Sequence, residues 1–584
     1  MKHKNILLLL IVSTFVMLSS CGEGFLYKDP QGSINQAALM NQTGVDLLTT
    51  SAYANITENG WGATPFNWTF GGMYGGDANK GSDGNDQSVL NTMETYSVLS
   101  TNGYIGEKYA WVYKGAKRVN IALQTLEQTK NLPEAFKKSR NGELHFLRAM
   151  FYFEGIKVFG PFLPWVDETN TENDPKIHND VDIYPKVLAD IDIAITNLPG
   201  KQDLAGRANL WAAKALKAKI LMHKGDLATA EPILKDVIDN GMTANGKKYG
   251  LEDDMNANFD SFRDNGKESI FAAQFSADRD NGNTGLSLCY PHGGAGSPGG
   301  CCGFYQPSNE LANSFKVGTD GLPLLDNSYR NKPYVTERNT SSEKDAPLSV
   351  NNDMPVDPRI DFAIGRFEVP YKDWGLPKNN WVRDVANGGF YMPKKHVYTK
   401  KEQDAGLADG GLSSGWAPGS AINLQYLSLR DIILLYAECL ANKNDLTGAM
   451  AQVNQIRKRA ALPVNVVKLE DGTPAANYLI KEYPATHAAF TDKDMCIKAV
   501  RMERKLELAM EGQRWFDLSR WGGQYMNKEL ADYVHFEAQF LAKFATASVL
   551  PAAKTMFPLP DGQVQTMGVD ENGKPYLVQP DPWK

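Results

Sequence analysis

Residues Arg501 to Gly523 read RMERKLELAMEGQRWFDLSRWGG. Three glutamates, one aspartate, four arginines and two tryptophans fall in this stretch, which is either a catalytic centre with paired carboxylates or a piece of scaffold. Wound as one helix, it places Met502, Leu506, Ala509 and Phe516 on one face and Glu503, Glu507, Glu511, Arg514 and Asp517 on the adjoining stripe. Glu511–Arg514 and Arg514–Asp517 then have the i, i+3 spacing of intrahelical ion pairs. Acids interleaved with arginines stay ionised, with depressed pKa values. A general acid needs the reverse, a carboxyl that keeps its proton near neutral pH. The stretch therefore reads as scaffold, and the scaffold is helical.

Apolar and small residues recur at helical spacing elsewhere. They do so in Glu107–Gln128 (Trp111, Gly115, Val119, Leu123, Leu126), in Gly142–Gly160, and in Asp182–Gly200. The last two are closed by Gly-Pro and Pro-Gly. Two further segments match each other at a constant offset of 219: Ala218 falls on Ala437, Leu221 on Leu440, Asp226 on Asp445, Leu227 on Leu446 and Ala230 on Ala449. Each is a helix, a tight turn and a second helix, the logic of a tetratricopeptide hairpin. The separation far exceeds one such repeat, so the two hairpins belong to one scaffold, about 105–240 and 421–525, interrupted by a large insertion. The insertion, about 249–420, and the earlier region at about 55–100 are rich in Gly, Pro, Asn and Asp and read as loops. KESIFAAQFSAD within the insertion reads as a short strand.

The chain has 584 residues and a net charge of −7, with 42% hydrophobic and 22% charged residues. It lacks the concentrated basic surface of a general nucleic-acid binder. At the N-terminus, Lys2 and Lys4 precede the apolar run Ile6–Leu18, which suits a signal peptide rather than a membrane span. The run ends in Leu18-Ser19-Ser20-Cys21, which resembles the lipobox of bacterial lipoproteins. Residues 1–20 are thus expected to be removed and Cys21 to be acylated, leaving 21–584 as a single domain anchored to a membrane by lipid. The five other cysteines make no disulfide framework. Cys439 and Cys496 lie in apolar helical patterns and read as buried thiols. The adjacent Cys301 and Cys302 can close a vicinal disulfide, or one of them can pair with Cys289. With no CxxC and eight scattered histidines, no zinc site is expected.

The pattern ER, EL, EG, R, DL and RWG in the opening stretch resembles the C-terminal signature of the SusD/RagB family, nutrient-capturing lipoproteins of Bacteroidetes. WVYKGAKRVN (Trp111–Asn120), FLRAMFYFEGIKVFGPFLPWV (Phe146–Val166), Asp357-Pro358-Arg359, LSLRDIILLYAECLA, VNQIRKRAAL and FPLPDGQV are similar to family stretches in the same order, so the resemblance covers nearly the whole chain. It implies a mainly α, SusD-like fold with tetratricopeptide-like helix pairs and a large loop-rich ligand-binding region. It also implies placement on the outer membrane, exposed at the cell surface, and a SusC-like TonB-dependent transporter as partner. The ligand is expected to be a glycan. Oligopeptide capture, as in RagB-like members, is the alternative, and a lipoprotein hydrolase is a more remote one.

Three motifs mimic enzymes. Gly411–Gly415 fits G-x-S-x-G but has glycine-rich loop on both sides instead of a strand and a helix. Gly241–Lys248 fits a phosphate loop except at its last position, and it follows a helix rather than a strand. Asp77–Asp86 (DANKGSDGND) offers oxygen ligands for calcium without the Glu that closes an EF-hand. No catalytic residue or other cofactor is expected. What remains is aromatic: Trp61, Phe66, Trp68, Tyr74, Tyr290, Phe304, Tyr305, Trp374, Trp381 and Trp416 lie in loop-like, mostly glycine-rich context. A ring laid under the apolar face of a sugar, edged by hydrogen-bonding groups, is how proteins hold saccharides. The expected ligand residues are Trp61, Trp68, Tyr74, Asp77, Asp83, Tyr290, Tyr305, Trp374 and Trp381, in the neighbourhoods 61–86 and 289–305 and beyond.

Overall fold

The computed structural model describes residues 36–58, 62, 65–170, 175–278, 283, 285–333, 354–413, 415–549 and 554–584. The expected signal peptide, Cys21 and Trp61 lie outside the described residues. The spacing of apolar residues in α2 (Gly103–Gln128), α3 (Glu134–Phe159) and α4 (Tyr184–Asn197) produces helices where the sequence places them. α3 stops at Gly160, whose φ of 82° suits glycine. α1 (Gln42–Thr57), started by Asn41 accepting from the Gly44 amide, packs on α2 and was not anticipated.

The matched hairpins are α5 (Leu210–Lys224) with α6 (Leu227–Asn240), and α7 (Leu429–Asn442) with α8 (Leu446–Ala460). Asp226 caps α6 by accepting from the Thr229 amide, and Asp445 caps α8 by accepting from the Gly448 amide, so the shared Asp-Leu is a shared N-cap. α6 packs directly on α7. Hairpins far apart in sequence are therefore neighbours in space, and the insertion between them leaves and rejoins the scaffold at one place. That place is closed by β2 (Ser269–Ala273) pairing antiparallel with β8 (Leu424–Ser428). Within the insertion, β3 (Phe304–Pro307) pairs antiparallel with β1 (Ala78–Gly81), which brings the neighbourhoods 61–86 and 289–305 together. β4 (Ile364–Gly365) with β5 (Met392–Pro393), and β6 (Ala408–Ser413) with β7 (Ala417–Ser420), form two further antiparallel pairs.

The opening stretch is not one helix. α9 (Lys493–Glu507) ends, the chain turns through Met510 (φ 64°) and Gly512 (φ 67°), and α10 (Arg514–Arg520) begins in a new direction. A Cβ on Gly512 would stand 1.9 Å from the Phe66 carbonyl oxygen, so the break is fixed by close approach of another segment. The intrahelical pairs expected at Glu511–Arg514 and Arg514–Asp517 are replaced by long-range ones. Glu511 takes Lys395 at 2.8 Å and Arg430 at 2.9 Å, Arg514 takes Glu529 of α11 (Gly523–Glu537) at 3.3 Å, and Asp517 takes Arg504 at 3.0 Å.

The two Glu511 pairs belong to a buried chain of charge. Arg359 reaches Asp357 and Glu503 at 2.7 Å and Glu507 at 3.0 Å, and Glu503 reaches Arg457 at 3.1 Å. Glu507 continues to Arg459, which meets Glu268 at 3.2 Å; Glu268 meets Arg430 at 3.2 Å, and Arg430 leads on to Glu511 and Lys395. Five cations thus alternate with five carboxylates. Burial pushes Glu507 up, but the guanidiniums of Arg459, Arg359 and Arg430 outweigh it and hold the carboxyl at about 2.

Arg359→Met removes one partner and leaves three buried carboxylates under-compensated, which is expected to cost about 3–5 kcal/mol in urea unfolding. The same variant shows which way acid acts. Glu507 sits below its unfolded value of roughly 4.3, so its contribution is full above that pH and is lost as pH falls toward the folded value. With Arg359 gone the folded value rises, and acid unfolding is expected to move to higher pH. A loss under about 1 kcal/mol with an unmoved acid midpoint would contradict the network's role.

Candidate functional site

The sequence places Trp68, Tyr74, Asp77, Tyr290, Tyr305 and Trp381 on ligand-facing loops, but the structure buries them all, at 3% exposed or less. The reason lies in the glycines between them. Trp68–Met73 forms a short π-helix against α10, where a Cβ on Gly71 would lie 1.7 Å from the Gly512 carbonyl oxygen and one on Gly72 would lie 2.0 Å from the Tyr305 hydroxyl oxygen. The glycines permit close packing, and the aromatics fill the space beside it. Trp68 meets Tyr305 edge-on at 5.9 Å, and Tyr74 meets Trp515 edge-on at 5.5 Å. Trp381 meets Tyr371 edge-on at 5.6 Å, and Tyr290 tilts against Tyr398 at 5.4 Å. Burial raises the Tyr305 and Tyr290 hydroxyl pKa values far above the ordinary range. None of these rings has a free face for a sugar.

Asp77 is not a surface ligand either. Burial pushes its carboxyl up to about 6 against the pull of Arg514 and Lys505, and its Oδ2 accepts from the Met510 amide. It lines a cavity of about 10 Å³, room for one water at most. Glu537, buried and accepting from the Glu310 amide and the Asn309 side chain, is likewise raised by burial to about 7. Both carboxyls are shifted toward neutral pH by burial, and neither lies at the surface.

What the insertion exposes is a smaller set. Loop 289–305 is tied down by Tyr398, whose hydroxyl donates to the Pro298 carbonyl at 2.7 Å, and by Trp381, whose carbonyl accepts from the His292 amide at 2.7 Å. Gly300 lies against the carbonyl oxygens of Gly410 and Trp416, so the β6–β7 hairpin abuts the cysteine pair. Trp416 is 43% exposed at the turn of that hairpin, and a strand, β7, rather than the helix of a nucleophile elbow follows that turn. Cys301 and Cys302 are joined by a disulfide, while Cys289 is a buried free thiol with its pKa raised by burial. The Ser82 amide donates to the Gly303 carbonyl at 2.7 Å, which brings the acidic loop to the same surface. There Arg383 pairs with Asp83 and Asp86, each at 2.7 Å. The Asp86 and Asn85 amides, then Arg383, hold Asp83 below the usual carboxylate range. The carboxylates that were candidates for calcium hold a guanidinium instead. Trp374 is half-buried, its indole donating to the Tyr398 carbonyl at 2.9 Å.

A separate cavity of about 500 Å³ opens along α2, between that helix, the 164–170 segment with Pro175, and α12 (Asp561–Met567). Sequence reasoning took α2 as pure scaffold. Tyr113, Lys117 and Ile121, at i, i+4 and i+8, form an outward stripe opposite Trp111, Gly115 and Val119, and that stripe was the available signal.

Comparison with known proteins bears on the whole chain. A model described as the SusD family matches residues 267–572, and one described as starch-binding associating with outer membrane matches residues 25–222. A SusD-like protein of Bacteroides ovatus is 21% identical over 552 residues, 90% of this chain and 84% of that one. A SusD superfamily protein of Bacteroides vulgatus superposes with a TM-score of 0.66 at 19% identity, covering 93% of this chain and 99% of that one. A laminarin-binding SusD-like protein superposes with a TM-score of 0.61 at 19% identity, with the same coverage.

Trp381→Ala is expected to behave as a core deletion, costing about 3–5 kcal/mol and lowering the melting temperature. Trp416→Ala is expected to stay within about 0.5 kcal/mol of the parent. Equal melting temperatures for the two variants would contradict this division between core and surface.

Proposed function

Because the chain belongs to the SusD family, we propose that it captures oligosaccharide at the outer-membrane surface and passes it to a SusC-like TonB-dependent transporter. The observation that carries this reading is the family match across residues 267–572, more than half of the chain. The fold shared with a laminarin-binding protein supports a glycan as the captured class. In this reading residues 1–20 are removed, Cys21 carries the lipid, and residues 21–584 form one binding domain. The capturing surface is the loop face around Trp416. Its exposed indole is the platform, the Arg383 ion pair supplies the polar edge, and the Cys301–Cys302 pair stiffens the loop between them.

An aromatic platform without a deep pocket suits capture and release. One stacked ring contributes on the order of 1 kcal/mol beyond the area it buries. Several such contacts hold a polymer, and no single one prevents its transfer.

Electrophoresis of the mature protein through native gels containing α-glucans, β-glucans and uronic-acid polymers tests the reading, with a non-binding protein as reference. Retardation by at least one glycan is expected, and Trp416→Ala is expected to weaken it about tenfold, ~1.4 kcal/mol. Absence of retardation across the panel, together with binding of oligopeptides in calorimetry, would replace glycan with peptide as the cargo. The anchor is tested separately in cells. Cys21→Ser is expected to abolish labelling by a fatty-acid probe and to remove the mature protein from the outer-membrane fraction; unchanged labelling would refute acylation at Cys21.

A further inference from the structure

We propose that the small cavity where α3, α5, α9 and α10 meet is an anion site that holds one chloride ion. The site is independent of whichever cargo the protein carries. The cavity has a volume of about 20 Å³. One water needs roughly 10–15 Å³, so there is room for a single small ligand and too little for a polyatomic anion such as phosphate.

The groups around it are rich in donors. Lys157 of α3, Lys219 of α5, Arg504 of α9 and Arg520 of α10 line the cavity together with Asp517. The carboxylates that neutralise these cations are shared. Lys157 pairs with Glu154 at 2.5 Å, and Glu154 also takes Lys108 at 3.0 Å. Lys219 pairs with Asp431 at 2.8 Å, and Asp431 also takes Arg504 at 2.9 Å. Asp517 takes Arg504 at 3.0 Å and Arg520 at 2.8 Å. An ammonium has three N–H donors. The buried Lys157 ammonium spends one of them on Glu154, and the Phe516 ring, 4.4 Å away, compensates only weakly for the others.

His223 adds a second unanswered group. Its Nδ1 lies 2.7 Å from the Tyr184 hydroxyl, while its buried Nε2 has no hydrogen-bond partner among the described residues. Burial, with Lys157 and Arg520 close by, lowers this imidazole to about 3, so the ring is neutral. When the Tyr184 hydroxyl donates to Nδ1, the ring proton sits on Nε2 and becomes one more donor at the cavity.

The class of ligand follows from this imbalance. A water molecule would have to place its own two hydrogens on acceptors, and the Asp517 carboxylate beside it is already engaged by two guanidiniums. A monatomic anion has nothing to donate and accepts from every direction. It also opposes the repulsion between the lysines. Burial lowers the Lys157 ammonium to about 8 against the pull of Glu154, and Lys219 and Lys108 push the same way. Chloride has the size and charge for this place and is the common monatomic anion of biological fluids.

Crystals of the mature protein soaked in sodium bromide, with diffraction collected at the bromine absorption edge, test the site directly. An anomalous peak is expected in the cavity, in contact with Lys157. Calorimetry in chloride and in gluconate at matched ionic strength reads the same site in solution, because gluconate is too large to enter. The melting temperature is expected to rise by about 1 °C for each tenfold increase in chloride. Lys157→Met, which keeps the length of the side chain and removes the ammonium, is expected to lose both the bromide peak and the chloride dependence. The proposal is overturned if the bromide map shows water alone in the cavity, or if Lys157→Met keeps the parent's chloride dependence. It is also overturned if chloride and gluconate give equal melting temperatures, since a bromide peak would then be binding at crystal concentration only. The bromide map of the parent decides the matter even where Lys157→Met does not fold.

Discussion

The structure depends on a row of buried charges in which no member is satisfied alone. Asp357, Arg359, Glu503, Glu507, Arg459, Glu268, Arg430 and Glu511 come from α7, α8, α9, the turn after α9 and two points in the insertion. Removing a carboxylate from water costs several kcal/mol unless its partners are already in place. A half-assembled arrangement, with α9 docked and the Asp357–Arg359 segment absent, therefore carries uncompensated charge. Apolar packing would tolerate small shifts of these elements, whereas the ion chain accepts one arrangement. A second chain through Lys219, Asp431, Arg504, Asp517, Arg520 and Glu438 ties α5, α7, α9 and α10 together in the same way.

This explains what could be read in the sequence. Helices whose cause is local, such as α2 through α8, announce themselves by apolar spacing and by their caps. The Asp226–Leu227 and Asp445–Leu446 pairs mark the starts of α6 and α8 because an N-cap is a local interaction. The scaffold role of the 501–523 stretch was also legible, since alternating charge implies pairing. Its partners were not. A continuous helix was the expectation, and the actual break at Met510 and Gly512 is imposed by the Phe66 carbonyl, which lies more than four hundred residues away in sequence. A contact of that separation leaves no periodic trace.

The candidate site was less legible, for a related reason. Aromatics interleaved with glycines describe both a sugar platform and a tightly packed irregular core. The difference is whether another chain segment covers the rings. Here the π-helix at Trp68–Met73 and loop 289–305 cover each other through the β1–β3 pairing, so Trp68, Tyr74, Tyr290, Tyr305 and Trp381 cement the junction between insertion and scaffold. Trp416, by contrast, is 43% exposed at the turn between β6 and β7. Long irregular loops on a rigid frame supply binding surface at their tips and packing at their roots.

The buried charges also bear on the kind of chemistry the chain can perform. Glu507, Glu511 and Asp517 are held in the ionised form by their guanidinium neighbours, so they cannot deliver a proton near neutral pH. Asp77 and Glu537 are raised toward neutral pH by burial, Asp77 against a cavity of about 10 Å³ and Glu537 fully enclosed. At the loop face, the carboxylates of Asp83 and Asp86 are paired with Arg383. A frame that must be rigid to position weak contacts is well served by ion chains that admit a single arrangement.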